Sequence, residues 1–121
     1  MIGKVKQNLE PYVRLWVGGT QEGLLELDAL VDTGFNQWLA ISKSLQETIG
    51  GEYLYTADIG TAGGPIPVSV YLIWVRIDGV ATQVGAHVLP SEMNAIGTLL
   101  MEDKKLTIDF ISDGVLELTT R

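Results

Sequence analysis

Apolar side chains alternate with other residues along two neighbouring stretches of the chain, residues 13–17 and 25–31. A period of two residues is typical of strands that bury one face. Gly18-Gly19 begins the segment between the two stretches, so together they predict an antiparallel hairpin. The hairpin leads directly into Asp32-Thr33-Gly34, where the alternation stops.

Two segments predict short helices. Beyond an apolar stretch at residues 35–41, Ser44 and Glu47 have the spacing of a capping box, and Gly50-Gly51 supplies a stop about two turns later. Pro90-Ser91 is a possible start for a second helix, which we expect over residues 92–101.

The remaining segments predict strands separated by turns. Asp78-Gly79 and Asp113-Gly114 are dipeptides that favour hairpin turns, and the glycines and prolines of residues 59–67 predict a flexible connection. Further strands are expected at residues 52–58, 66–77, 80–89, 106–110 and 115–119. Seven or eight short strands with one or two short helices predict an all-β protein that forms a closed, mostly antiparallel barrel. We expect residues 1–121 to form a single domain, because no linker or low-complexity segment divides them.

Composition narrows the possible functions. A formal charge of −7 argues against a nucleic-acid partner, which requires a basic surface. The absence of cysteine and the presence of a single histidine, His87, argue against disulfides, thiol catalysis and most metal sites, so neither metal nor cofactor is expected. The first residues contain no apolar signal-peptide core, and no apolar run approaches the length of a membrane span. We therefore expect a cytoplasmic protein without a membrane partner.

The segment of residues 29–35 contains the candidate chemistry. A carboxylate, Asp32, follows an apolar strand that can anchor it, and Gly34 allows the backbone to approach another chain or a ligand closely. The hydroxyl of Thr33 can hydrogen-bond to an equivalent loop. Taken alone, however, Asp-Thr-Gly is equally typical of an ordinary turn.

The order of the motifs along residues 10–111 resembles that of the retropepsin-like aspartic proteases, especially their short bacterial single-domain members. The apolar residues before Asp32-Thr33-Gly34, and Phe35 after it, are similar to the active-site loop of that family. A glycine-containing segment lies where the family has its flap, and it contains Asp58, Ile59, Gly60, Thr61, Gly63 and Gly64. Ile96-Gly97 resembles the second apolar-glycine motif of the family, and residues 106–110 resemble the strand that follows it.

This resemblance implies an aspartic endopeptidase with a retropepsin-like barrel. Asp32 would be the catalytic carboxylate, Thr33 and Gly34 would support its loop, and the flap would close over an extended peptide. The aspartic mechanism uses two carboxylates that share one proton. The chain contains only one Asp-Thr-Gly, so the second carboxylate must come from Asp32 of another copy in a homodimer. Residues 115–119 are a candidate for the dimer interface.

Some positions depart from the family pattern. Thr98 stands where an arginine is common, Leu99 where Asp or Asn is common, and Gln37 where bacterial members often have glycine. The altered Thr98-Leu99 segment is the main support for a second hypothesis, a dimeric peptide-binding or scaffolding module without useful turnover. His87 is interpreted as a structural histidine with satisfied hydrogen bonds.

Overall fold

The computed structural model describes all 121 residues and contains ten strands and one α-helix. The elements are β1 (Ile2–Val5), β2 (Pro11–Gly18), β3 (Leu25–Val31), β4 (Leu39–Ser42), α1 (Lys43–Ile49), β5 (Glu52–Ile59), β6 (Ile66–Ile77), β7 (Val80–Leu89), β8 (Ala95–Ile96), β9 (Lys104–Ile108) and β10 (Val115–Thr120). A short 3₁₀ turn, Thr98–Met101, lies between β8 and β9.

Six strands form a closed ring, in the order β2, β3, β8, β4, β7 and β6. The ring closes because the second half of β2 pairs with β6, at Trp16 with Arg76 and Gly18 with Trp74. Most pairs are antiparallel, but β3 with β8 and β4 with β7 are parallel. The predicted all-β class and the closed, mostly antiparallel barrel are therefore confirmed.

The strand alternation directs one set of side chains into the ring. Together with Leu100 of the 3₁₀ turn and Leu116 of β10, they form a continuous buried core. Its members from the ring strands are Val13, Leu15, Val17, Ala29, Val31, Leu39, Ile41, Ile73, Val75, Val84, Ala86 and Ile96. Val31 is the last of them before Asp32, so the strand that carries the candidate carboxylate is anchored in the core.

Four strands lie outside the ring: β5 pairs with β6, and three others extend the sheet from β2. The first half of β2 pairs with β1, β1 pairs with β10, and β10 pairs with β9. The register places Gly3 opposite Val13 on one side and opposite Leu116 on the other. Every strand belongs to one sheet; the assignment of residues 1–121 to a single domain stays a prediction.

The predicted helices are right in one case and wrong in the other. Helix α1 forms where it was expected, but its N-cap is Ser42, whose Oγ accepts from the Leu45 N–H, rather than Ser44. The helix predicted over residues 92–101 is absent, because Ala95–Ile96 is held as a strand between β3 and β4. Only the 3₁₀ turn remains of it. No helix in the structure is long and apolar enough to span a membrane.

Candidate active site

Asp32 directly follows β3, at the start of a loop formed by residues 32–38. Its backbone N–H donates to the carbonyl of Ile96, at 3.1 Å, which extends the pairing of β3 with β8. One carboxylate oxygen, Oδ1, accepts from the N–H of Gly34 at 2.9 Å. The Phe35 N–H donates to the Asp32 carbonyl at 3.2 Å. The side chain is partly buried, so the carboxylate is both fixed in direction and reachable.

The loop is joined to the segment after β8 by three backbone hydrogen bonds. The N–H groups of Gly97, Thr98 and Leu99 donate to the carbonyls of Trp38, Phe35 and Gln37 at 3.0, 2.8 and 3.3 Å, respectively. Because these backbone groups are paired, the loop is held against the segment after β8. The predicted second motif therefore lies beneath the Asp32 loop and supports it.

Gly97 is the position where the two segments approach most closely. A Cβ atom at this position would lie 2.1 Å from the carbonyl oxygen of Gln37 and 2.6 Å from that of Phe35. Both neighbours are backbone atoms, so no side chain can rotate away to make room. Only glycine permits this crossing.

Phe35 connects the loop to the barrel through His87. The two rings are perpendicular, with centroids 5.6 Å apart. His87 is only 4% exposed, and burial lowers the pKa of its imidazole. Its Nδ1 has no hydrogen-bond partner. The interpretation as a satisfied histidine does not hold for this nitrogen, because the residues paired with His87 on the neighbouring strands, Ala40 and Val70, are apolar.

The β5–β6 hairpin forms the opposite wall of the site. Its strands pair from Glu52 with Leu72 to Ile59 with Ile66, with an irregularity between Tyr53 and Tyr55. At the tip, the N–H of Thr61 donates to the Gly64 carbonyl and the N–H of Gly64 to that of Thr61. Hydrogen bonds within the tip are local, so its position depends mainly on the hairpin.

A groove of about 400 Å³ lies between the Asp32 loop and this hairpin. The candidate residues that line it are Asp32, Gly34, Asp58, Ile59 and Gly60. The other candidates lie outside its lining, in three places: Thr33 exposed on the loop, Ile96 and Gly97 beneath the loop, and Thr61, Gly63 and Gly64 at the hairpin tip. Two further depressions, of about 300 and 490 Å³, lie beside α1 and β1 and include none of the candidate residues.

The groove also contains six residues outside the candidate set, of which only Phe35 and Gln37 had been compared with the family's active-site loop. The six are Phe35, Gln37, Ala40, Leu89, Met93 and Ala95. They come from the Asp32 loop, β4, the end of β7, the β7–β8 connection and β8, which the barrel brings together. Most are apolar, so the groove combines carboxylates with an apolar wall. No group of three His, Cys, Asp or Glu side chains lies close enough together to hold a metal ion.

Comparison with known proteins places the fold. No protein-family model and no curated protein sequence matches the chain. Among solved structures, the chain is similar to the EIAV protease complexed with the inhibitor HBY-793, a retroviral enzyme, with a TM-score of 0.65 at 17% sequence identity. The match covers 78% of this chain and 86% of that protease. The chain therefore has a retropepsin-like fold, as the order of its motifs predicted.

Proposed function

We propose that this chain is one half of a homodimeric aspartic endopeptidase, with Asp32 of each copy as the catalytic dyad. One observation carries the proposal. A carboxylate oriented by the Gly34 N–H opens into a groove whose other wall is a hairpin with an exposed tip. The retropepsin-like fold supports this assignment, since its solved neighbour is a protease.

The proposed chemistry requires no covalent intermediate. Of two carboxylates that share one proton, the ionised one takes a proton from water while the protonated one donates to the carbonyl oxygen of the substrate. The water oxygen adds to the carbonyl carbon. As the C–N bond of the tetrahedral intermediate breaks, the carboxyl that took the water proton gives it to the amine nitrogen. The other carboxylate takes a proton back from the hydroxyl that becomes the carbonyl oxygen, which restores the dyad. Water supplies both the hydroxyl and the hydrogen that the products gain.

The second carboxylate of the groove, Asp58, is not suited to be the partner of Asp32. It lies on β5 opposite Pro67 and is exposed, whereas Asp32 is partly buried on a loop joined to the barrel. A dyad requires two carboxylates held about 3 Å apart by rigid backbones. A second Asp32, related by a twofold axis, meets this requirement with the same loop.

The groove fits an extended peptide. Its long apolar wall can accept apolar side chains, and the backbone of Gly60 is available for hydrogen bonds with a substrate strand. Closure of the β5–β6 hairpin would exclude water from the scissile bond. We therefore expect peptides with apolar residues near the cleaved bond to be preferred.

The test compares two isosteric changes in the same groove. Asp32→Asn should abolish cleavage of a mixture of peptides, assayed at several pH values, with a loss of at least about a thousandfold. Asp58→Asn is the matched control and should retain turnover within about tenfold. Cleavage that survives Asp32→Asn would exclude Asp32 as the catalyst.

A mixing experiment tests the shared site. Co-expression of wild-type chain with an excess of Asp32→Asn chain should reduce the activity per wild-type chain, because mixed dimers contain only one ionisable Asp32. Activity that is simply proportional to the wild-type chain would contradict the shared dyad. A well-formed dimer that cleaves no peptide would instead favour the binding module. The observation that supports this alternative is that Thr98, which stands where the family commonly has an arginine, makes only an uncharged contact with Asn36, at 3.5 Å.

A further inference from the structure

Two other turns lie at the same end of the sheet as Asp32. Tyr12 pairs with Leu30, so the turn of residues 6–10 is level with the start of the Asp32 loop. Val5 donates to the Gly114 carbonyl and accepts from the Asp113 N–H, both at 2.9 Å. The loop of residues 109–114 is therefore next to the 6–10 turn, because neighbouring strands are only roughly 5 Å apart.

These two turns expose large apolar side chains. Leu9 is 51% exposed, and Phe110 and Ile111 are each 57% exposed. We refer to Leu9, Phe110 and Ile111 as the turn patch. Single exposed apolar residues are common, but apolar side chains grouped on adjacent turns form the kind of patch that marks a protein interaction site.

Leu9 is not only exposed but also has an unfavourable backbone conformation. Its φ is +65°, in the left-handed region that leucine rarely adopts. Glycine or asparagine would adopt this conformation with less backbone strain. A strained and half-exposed leucine at this position is therefore not explained by the packing of the single chain.

The 109–114 loop holds its part of the patch in a fixed position. A Cβ atom on Gly114 would lie 1.9 Å from the Asp109 carbonyl oxygen, so the two sides of this loop are in direct contact. The Ile111 N–H donates to Asp109 and the Gly114 N–H to Ile111, at 2.9 and 2.8 Å. The exposure of Phe110 and Ile111 is thus built into the loop and does not result from fraying.

The last strand has no free edge for a partner. β10 pairs with β1 on one side and with β9 on the other, and β1 pairs with β2 on its second side. Residues 115–119, the interface candidate from the sequence, could join a partner strand only if one of these pairings were broken. An interface made by the turns requires no such rearrangement.

We propose that the turn patch is the surface by which a second copy of this chain docks, through packing of Leu9, Phe110 and Ile111 around the twofold axis. This inference rests on the proposed function, which requires a second Asp32 to approach the first. The patch is at the end of the sheet where that approach must occur. Its apolar side chains would be buried by the same contact that completes the dyad.

The test measures the dimer dissociation constant by sedimentation equilibrium for the wild type, Ile111→Lys, Leu9→Asn and Val80→Lys. Val80 is a matched control, because it is 68% exposed at the Asp78-Gly79 turn, toward the opposite end of β1, where the Met1 amino group contacts Asp78. Ile111→Lys should raise the dissociation constant at least about thirtyfold, and Val80→Lys should change it less than threefold. Leu9→Asn should raise it about tenfold while its thermal midpoint as a monomer stays equal or rises, since asparagine tolerates the left-handed conformation.

The outcomes separate this inference from the proposed function. A dimer of unchanged affinity in both patch variants overturns the turn patch but leaves the shared dyad intact. Equal weakening by Val80→Lys also overturns it, because the effect would then be non-specific. Selective weakening in a protein that cleaves no peptide would support the patch and contradict the peptidase. A wild type that stays monomeric at working concentration would contradict both.

Discussion

The two walls of the groove are built in opposite ways. The Asp32 loop crosses the segment after β8 with three backbone hydrogen bonds and a contact that only Gly97 permits. The tip of the β5–β6 hairpin bonds only to itself, and added Cβ atoms on Gly60 and Gly63 would have no neighbour closer than 4.0 Å. The first wall is joined to the barrel, whereas the tip of the second has no backbone hydrogen bond outside its own hairpin.

This contrast matches what the proposed chemistry requires. A catalytic carboxylate must be held in a productive geometry by surrounding structure, and error at this position lowers the rate steeply. A covering hairpin must instead admit an extended chain and then release products. The two segments that face each other across the groove therefore differ in how many hydrogen bonds join them to the rest of the barrel.

The largest expected effect is a loss of stability when the close contact between Gly97 and the Asp32 loop is disrupted. Gly97→Ala should destabilise the protein by at least about 3 kcal/mol, because its Cβ would collide with two backbone carbonyls that cannot rotate away. Urea unfolding measures this change. Gly63→Ala is the matched control in the flexible wall and should stay within about 0.5 kcal/mol of the wild type.

Equal destabilisation by the two alanine variants would contradict the contrast between the walls. A stable Gly97→Ala protein would show that the Asp32 loop can shift away from the segment after β8. In that case the loop would not be the rigid half of the site.

Amide hydrogen exchange in the wild-type protein should also distinguish the two walls, with a smaller effect than that of Gly97→Ala. The amides of Gly97 and Thr98, bonded to Trp38 and Phe35, should exchange at least about a hundredfold more slowly than those of Thr61 and Gly64. Local opening is enough to expose the hairpin tip, whereas the loop crossing opens only with part of the barrel. Similar protection of both sets, measured by NMR in the absence of substrate, would contradict this interpretation.

Sequence reasoning succeeded where structure depends on local pattern. The strands at residues 66–77 and 80–89 have the predicted bounds, because a long alternation flanks an Asp-Gly turn. It failed where the structure of a segment depends on pairing with strands that are distant in the sequence. Ala95–Ile96 became a strand through β3 and β4, and β1, which has only four residues, depends on β2 and β10.

The same division applies to the candidate site. Asp32, Asp58 and Gly60 were identified by motif order, and all three line the groove. Ala40, Leu89 and Met93 line it too, but each is an ordinary apolar residue in sequence. Only the closure of the ring brings them beside Asp32, so no local signal could have identified them.

The smallest predicted effect is the pH dependence of stability that comes from His87, whose ring packs against Phe35 of the Asp32 loop. Burial lowers the pKa of His87, so the folded protein binds the imidazole proton less readily than the unfolded chain does. Stability from this group is fully present above the unfolded value of about 6.5 and is lost progressively as pH falls from there toward the lower folded pKa. Protonation would add a second N–H donor to a buried ring whose Nδ1 already lacks a partner and whose face contacts Phe35.

His87→Phe keeps an aromatic ring against Phe35 and removes the titration. Urea unfolding at pH 7.5 and pH 5 should therefore show a larger loss of stability on acidification for the wild type than for the variant. The two proteins differ only at residue 87, so the difference between the two losses isolates His87. Identical losses would show that the buried ring takes up its proton without cost, and that some unpaired acceptor or water reaches Nδ1. The contact between Phe35 and the barrel would then be a wetter and less rigid support for the Asp32 loop than the perpendicular ring packing indicates.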